Sequence, residues 1–436
     1  MKIYTYPSAS AEKKIASIVN RGIGFKKKDM LAVTRMIEDV RKNKDQALIK
    51  YTNRFDSTEL TPESIQVTQE EIDNASKYVD RSFITSLNRA IRQIESFHRQ
   101  QLCTSWINTR RPGTLLGQMV NPVDAAGIYV PGGTGGETPL VSSVLMGAVP
   151  ARVAGVNHIA MATPPTRNGT VNPHLLVAAK KVGIDAVYKV GSAWAIAALA
   201  YGTETVPKVD VIVGPGNIYV TIAKKLLAGT VGIDMVAGPS EILIIADRTA
   251  TPEFIAADLL SQAEHDILAS SILITDSADI AGTVASGVKE QLRKLSRKEI
   301  AQKSLSKFGA IMIVADLDTA IELSNRIAPE HLELQIKDPL AVVGQIHNAG
   351  AVFLGDYTPE PMGDYIAGPN HVLPTAGTAR FSSALSVDTF IKKTSLIRYS
   401  RTAFEREAGD VMRLAEIEGL DAHVNSVKIR LSGFRK

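Results

Sequence analysis

The segment Ala328-Pro329-Glu330-His331-Leu332-Glu333-Leu334 sets a carboxylate and an imidazole side by side between two apolar elements. A glutamate tuned upward by burial and a histidine near its natural pKa both exchange protons at neutral pH, which is what a general base and its helper must do. A Glu-His dipeptide at a helix-to-strand junction also serves as an ordinary cap or surface pair. Its company points toward chemistry: His265 closes Ser261-Gln262-Ala263-Glu264-His265, His371 closes the run from Gly363 through Asp364 and Asn370, and His423 stands near the C-terminus.

Gln262 and His265 are three apart on a predicted helix, so they would share a face with Cβ atoms about 5–6 Å apart, a spacing that suits two ligands of one ion. Asp364, beside Gly363 in a turn, can bring a carboxylate near them without a bulky neighbour. Imidazole, carboxylate and amide oxygen make an acceptable set for zinc or a similar divalent ion. A histidine on a helix is also commonly a satisfied polar group, and spacing alone cannot show convergence.

Two glycine-rich turns follow strand-like runs: Tyr129-Val130-Pro131-Gly132-Gly133-Thr134-Gly135-Gly136, and Gly214-Pro215-Gly216-Asn217, which opens a helix. Such turns sit at the C-terminal ends of parallel strands, where ligands bind open α/β sheets and helix N-termini favour phosphate. Neither completes the G-x-G-x-x-G fingerprint, and each also reads as a tight strand-to-helix corner.

The elements that must position these residues start late in the chain. The first 120 residues read as helices, at Ala11 to Asn20, Asp29 to Asp45 running toward Phe55, and Glu70 to Gln101. From Asn121 the texture becomes βαβ, the rhythm of a parallel sheet. Strands are predicted at Gly127 to Val130, Val156 to Thr163, Ala186 to Val190 and Val209 to Val213. Helices fall near Ser142 to Ala154, Asn172 to Val182, Ala193 to Tyr201 and Ile218 to Leu227. The rhythm restarts with strands at Ile242 to Ala246, Ser271 to Thr275, Ile311 to Val314 and Ala351 to Leu354. Past Thr375 it breaks into a tail with a basic stretch from Lys392 to Arg401 and a helix from Thr402 to Glu418.

A chain of 436 residues exceeds what one core usually holds, so two or more domains are expected. A near balance of 49 basic and 45 acidic side chains does not advertise nucleic acid or anionic lipid. No apolar run approaches the roughly 20 residues of a membrane helix, and Met1 to Pro7 turns polar without a signal-like core. Cys103 is the single cysteine, which forbids an intrachain disulfide and fits the reducing cytoplasm.

Taken together, these stretches closely resemble the histidinol dehydrogenase family. The carrying motifs are Gly127-Ile128-Tyr129-Val130-Pro131-Gly132-Gly133, Gly214-Pro215-Gly216-Asn217, Asp234-Met235-Val236-Ala237-Gly238-Pro239-Ser240-Glu241, Gln262-Ala263-Glu264-His265, Pro329-Glu330-His331, Gly368-Pro369-Asn370-His371-Val372-Leu373-Pro374-Thr375, and the Glu418 to His423 segment. The resemblance implies an α/β fold of two open, incompletely Rossmann-like parallel-sheet units with a helical N-terminal region and a C-terminal dimerisation tail. The boundaries expected are 1–120, packing with the 238–378 unit; 121–237, binding NAD; 238–378, holding zinc and the catalytic pair; and 379–436, crossing to the partner of a homodimer.

By that resemblance the enzyme oxidises L-histidinol to L-histidinaldehyde and then to L-histidine with two NAD. Gln262, His265, Asp364 and His423 would hold zinc, and Ser240, His331, His371 and Glu418 would join them around the substrate. His331 would take the alcohol proton, Glu330 would activate the water that hydrates the aldehyde, and Tyr129 and Asn217 would contact NAD. Removing the second hydride from the aldehyde requires a cysteine thiohemiacetal or a hydrate. With Cys103 as the only thiol, far from every motif, the hydrate route is preferred.

One departure stands out. Where the family usually reads Gly-Gly-Ala-Gln-Ala, this chain has Gly191-Ser192-Ala193-Trp194-Ala195, so Trp194 either stacks on the cofactor or fills the gap. Competing functions are a dehydrogenase of a sulfonated diol on the same scaffold, a zinc hydrolase with Glu330 as base, and a non-catalytic scaffold.

Overall fold

The computed structural model describes residues 1–21, 24–56, 58–132 and 138–433, so Gly133 to Gly136 of the first glycine-rich turn lie outside the described residues. The chain opens with β1 (Ile3–Thr5), α1 (Ala9–Val19) and α2 (Lys27–Phe55), then α3 (Gln69–Asn74), α4 (Arg81–Arg99), β2 (Trp106–Asn108) and β3 (Thr114–Pro122). A βαβ series follows: β4 (Ala125–Tyr129), α5 (Val141–Ala154), β5 (His158–Ala162), α6 (Pro173–Val182), β6 (Ala186–Tyr188), α7 (Ser192–Tyr201), β7 (Val211–Val213), α8 (Ile218–Leu227) and β8 (Gly232–Ile233). The second series is β9 (Glu241–Ala246), α9 (Pro252–Ala263), β10 (Ser270–Thr275), α10 (Ala278–Leu292), α11 (Lys298–Phe308), β11 (Ala310–Ile313), α12 (Leu317–Ile327), β12 (His331–Gln335) and β13 (Ala351–Leu354). The chain closes with α13 (Glu360–Met362), β14 (Ile391–Tyr399), α14 (Arg401–Ile417) and α15 (Asp421–Ser432).

Two compact bodies result: one from Met1–Gln101 with Val123–Phe390, the other from Leu102–Pro122 with Ile391–Lys436. The first holds two parallel sheets, ordered β6-β5-β4-β7-β8 and β1-β11-β10-β9-β12-β13. In each, the chain winds outward on one side and then jumps back to the other, at β4/β7 and at β9/β12. A crevice for a ligand opens where strand order reverses in this way. The central strands are apolar on both faces, as parallel strands covered by helices must be: every residue of β9 and β10 is buried. The second body is built on an antiparallel sheet, β14-β3-β2, carrying the α14 and α15 hairpin.

Several expectations are corrected here. The N-terminal region does not pack as a whole on the 238–378 unit. β1 pairs with β11 and α1 joins the core of that sheet, but α2 lies on α7, with Val40, Leu48 and Tyr51 packed around Ala195, Ala198 and Leu199. The cause is in α7, which is apolar all round and needs a cover on the side away from its sheet. The long helix expected from Glu70 to Gln101 is broken, because Asp80 caps a new one by accepting from the Phe83 N–H. Residues 102–122 are not helical packaging but supply two strands, and the basic stretch Lys392 to Arg401 is largely β14, paired with β3. Residues 379–390 stay with the first body rather than with the tail.

Candidate active site

On β12 the side chains alternate between two environments. Leu332 and Leu334 enter an apolar core with Leu243 and Ile245 of β9, while His331, Glu333 and Gln335 face the other way, beside Ile242, Ile244 and Ala246 and toward α9. A buried polar row on a central strand needs partners. α9 supplies them four residues apart: Asp258 accepts from Gln335 Nε2 at 2.9 Å, and the Gln262 amide lies 3.0 Å from His331 Nδ1.

The backbone carbonyl of Glu241 lies 3.0 Å from His331 Nδ1. A carbonyl cannot donate, so it takes a proton from Nδ1 in the tautomer that leaves Nε2 its lone pair, whereas the Gln262 amide nitrogen, also 3.0 Å from Nδ1, favours the opposite tautomer. That Nε2 is buried without a partner, and His331 lines a cavity of about 380 Å³ together with Phe353, Asp364, His371 and Leu373 among others. Burial pushes His331 down to about 4, a correction to the near-natural value expected from sequence. It is a neutral base at neutral pH, already in the form that accepts a proton.

Glu330 lies behind the ring, its Oε2 3.6 Å from Nδ1 and accepting from the Glu241 N–H at 2.9 Å. Burial, reinforced by the Glu241 carboxylate, holds it well above the usual carboxylate range, as the sequence reading anticipated.

Gln262 is fully buried at the end of α9, its Oε1 unpaired. His265 falls beyond the helix, past the C-cap Glu264, and its side chain reaches the surface, so the shared helical face expected of the two does not exist. His265 and Asp364 feel each other's charge: partial burial lowers the imidazole, burial raises the carboxyl to about 6, and each opposes the shift in the other. Asp364 is placed there by Gly363, which packs against the Phe353 ring where a Cβ would collide. His371, its Nε2 buried and unpaired, is pushed down to about 4 by burial. Its neighbour Asn370 donates to the Met146 carbonyl on α5 at 2.7 Å, docking the cavity wall on the helix that follows β4. Ser240 lies half-buried just before β9.

Sequence reasoning missed Glu360. His331, Glu360 and Asp364 each present a ligand atom within 4.8 Å of the others. The signal was available, since Glu360 and Asp364 stand four apart across α13 and the π turn that follows it. Burial and the Asp364 charge raise Glu360 to about 8, so its 3.9 Å contact with His331 Nε2 joins two neutral groups at pH 7, not an ion pair. Unpaired buried atoms on Gln262, His331, Glu360 and His371, all nitrogen or oxygen donors, fit a divalent ion such as zinc.

The other two residues read from sequence flank the β4/β7 crevice. Tyr129, at the end of β4, is buried and its hydroxyl accepts from the Ser192 N–H at 2.9 Å. Asn217 caps α8, Oδ1 accepting from the Tyr219 and Val220 N–H groups. Between them the Gly214 turn is pinned by a buried pair: Lys224 and Asp234 are ion-paired, Lys224 donates to the Gly214 carbonyl, and Asp234 accepts from the Gly214 N–H at 2.8 Å. α7 starts without a side-chain cap from Gly191, and its first N–H, that of Ser192, is the one the Tyr129 hydroxyl accepts. Trp194 settles its own alternative. It is 4% exposed, stacked with Tyr51 and Phe55, and donates its indole N–H to Thr52 Oγ1 at 3.0 Å, so it fills the gap and offers no face to a cofactor.

Glu418 and His423 belong to the second body, at the C-cap of α14 and on α15, and both are exposed.

Comparison with known proteins agrees with this geometry. Residues 22–431 match the histidinol dehydrogenase family. The histidinol dehydrogenase of Desulfotalea psychrophila is 56% identical over 400 residues, 92% of each chain, and that of Clostridium acetobutylicum is 53% identical over 423 residues, 97% of each. The crystal structure of histidinol dehydrogenase from Elizabethkingia anophelis superposes with a TM-score of 0.93 at 39% identity, covering 100% of this chain and 99% of the other.

Proposed function

This chain belongs to the histidinol dehydrogenase family, NAD-dependent oxidoreductases of histidine biosynthesis, and on that premise we propose how its residues divide the work. The enzyme oxidises L-histidinol to L-histidinaldehyde and then to L-histidine. Across the two steps one alcohol, one water and two NAD⁺ give one carboxylate, two NADH and three protons. When bound, NAD takes the two hydrides, and zinc supplies Lewis-acid polarisation and a fixed point for the substrate.

The observation that carries the reading is the buried, unpaired Nε2 of His331, a residue that lines the cavity, and the reading takes the tautomer that donates Nδ1–H to the Glu241 carbonyl. His331 takes the hydroxyl proton as the first hydride leaves. Glu330, made more basic than an ordinary carboxylate by burial, draws the proton from the water that adds to the aldehyde, and His331 takes the proton of the hydrate as the second hydride leaves. Gln262, His265 and Asp364 hold zinc together with His423. Ser240, His371 and Glu418 position the substrate, and Tyr129 and Asn217 line the NAD crevice. Glu418 and His423 reach the cavity from the partner in a homodimer; the exposure of both in this chain is compatible with that role.

A second reading follows from the 3.6 Å between Glu330 Oε2 and His331 Nδ1: Glu330 works through the ring, stabilising the imidazolium formed when Nε2 is protonated. Separate assays with histidinol and with histidinaldehyde distinguish the two. Glu330→Gln should spare the alcohol step relative to the aldehyde step on the first reading, and depress both equally on the second. His331→Asn should lose roughly 10²–10⁴-fold in both, and an active His331→Asn enzyme would remove the basis of either.

A further inference from the structure

Behind the catalytic pair lies a clasp that no step of the reaction uses. Glu241 and Glu330 each grip the other's backbone: the Glu241 N–H donates to Glu330 Oε2 at 2.9 Å, and the Glu330 N–H donates to Glu241 Oε2 at 3.2 Å. The remaining Glu241 oxygen accepts from the Ala376 N–H at 3.1 Å and from Arg21 Nη2 at 2.5 Å. The Arg21 and Glu241 side chains are 3% and 9% exposed, and Arg21 also reaches the Pro239 carbonyl at 3.4 Å. Arg21 comes from the turn after α1, far in sequence from every motif that touches the cavity. The Glu241 carbonyl meanwhile lies 3.0 Å from His331 Nδ1, where it accepts the Nδ1–H of the tautomer taken above, and 3.4 Å from Gln262 Nε2. One residue therefore holds the Glu330 carboxyl, the His331 tautomer and the strand ends that carry them.

We propose that Arg21 and Glu241 are positioning residues for both oxidations, Glu241 fixing Glu330 and the His331 tautomer through its backbone and side chain, and Arg21 supplying the counter-charge that keeps the Glu241 carboxylate in place. Breaking a buried ion pair on one side leaves an uncompensated charge. Without Arg21 the Glu241 carboxylate loses the guanidinium that anchors it beside the Ala376 and Glu330 N–H groups, and its withdrawal from them loosens β9 against β12 where His331 is held. Arg21 touches neither the cavity nor the β4/β7 crevice, so its effect on the reaction runs through Glu241.

The inference rests on His331 acting as the base, and the test keeps the two claims apart. Arg21→Met, Arg21→Lys and Glu241→Gln are made in the full-length enzyme and assayed with histidinol and histidinaldehyde. The His331 Nδ1 proton and nitrogen are followed by NMR in ¹⁵N-histidine-labelled protein, assigned by its absence in His331→Asn. Arg21→Met and Glu241→Gln should lower kcat about 10- to 100-fold in both half-reactions, with KM for NAD within about threefold of wild type. The Nδ1–H signal should shift or exchange faster. Arg21→Lys should recover most of kcat and the wild-type signal. An unchanged kcat and an unchanged Nδ1–H signal in Arg21→Met overturn the proposal. So does an activity loss matched by an equal loss of folded protein, with the folded fraction behaving as wild type. If Arg21→Met does not fold, Glu241→Gln with normal kcat and a normal signal overturns it equally. Failure of the base assignment shows separately, as an active His331→Asn enzyme, while the Nδ1–H readout reports on the clasp without reference to turnover.

Discussion

Replacing Glu360 by glutamine keeps the shape of a fully buried side chain and removes its proton equilibrium. In the folded protein its pKa is raised from 4.5 to about 8 by burial, with the Asp364 charge pushing the same way. The unfolded chain gives up this proton above about pH 4.5 and the folded chain keeps it to about 8. The group's contribution is therefore fully present below pH 4.5 and is lost as pH rises to 8. At about 1.4 kcal/mol per pH unit the loss reaches at most about 5 kcal/mol, a large share of the 5–15 kcal/mol typical of a domain. Glu360→Gln should escape it, becoming more stable than wild type by several kcal/mol at pH 8 and nearly equal to it at pH 4.5. His331 acts in the opposite direction. Its folded pKa is lowered from 6.5 to about 4, so stability is lost as pH falls through that window, by at most about 3 kcal/mol. That loss is common to both proteins and cancels in the difference. The assay is urea denaturation followed by circular dichroism at half-unit steps from pH 4.5 to 8.5, in chelator, because a bound cation would reverse the local titration. Curves that stay parallel across this range, or a wild type that gains on the variant as pH rises, would show that Glu360 is ionised in the fold and that the neutral pairing with His331 is wrong.

Removing zinc with a chelator should abolish turnover while far-ultraviolet dichroism changes little, since Gln262 and Asp364 sit on separately packed elements, and added zinc should restore it; full activity in protein shown metal-free by elemental analysis counts against the ligand set. After random re-pairing of equal amounts of His265→Ala and His423→Ala, about half the dimers are mixed and about a quarter of all sites should be wild type if tails cross between subunits, whereas mixtures that stay inactive place each tail on its own body. Trp194→Gln should cost about 2–4 kcal/mol by emptying the space beside Tyr51 and Phe55, with the KM for NAD changed less than about threefold; a large KM effect with no loss in thermal stability would return the indole to the cofactor. Gly214→Ala should weaken NAD binding at least about tenfold, because a side chain at φ 114° would meet the Tyr129 backbone; calorimetric titration giving wild-type affinity would contradict that.

The parallel α/β character was written in the chain itself. β-branched runs such as Ile242 to Ala246 and Ser271 to Thr275 have only one way to be apolar on both faces, as covered strands of a parallel sheet, and a βαβ rhythm joins them. The adjacency of Glu330 and His331, and the wording of the motifs around them, likewise needed no coordinates. Tertiary structure decided everything that depends on groups distant along the chain. β3 pairs with β14 across some 270 residues, α2 covers α7, and neither Ile3–Thr5 nor Arg21 announces that it serves the sheet that carries His331. His331 was expected near its natural pKa because a sequence carries no burial. The fold buries the ring, sets Nδ1 beside a carbonyl and leaves Nε2 3.9 Å from Glu360, a residue that spacing alone had left unremarked. Hydrophobic pattern is local and survives in one dimension, whereas the protonation of a side chain is set by solvent exclusion and by charges within a few ångströms, which only the closed fold assembles.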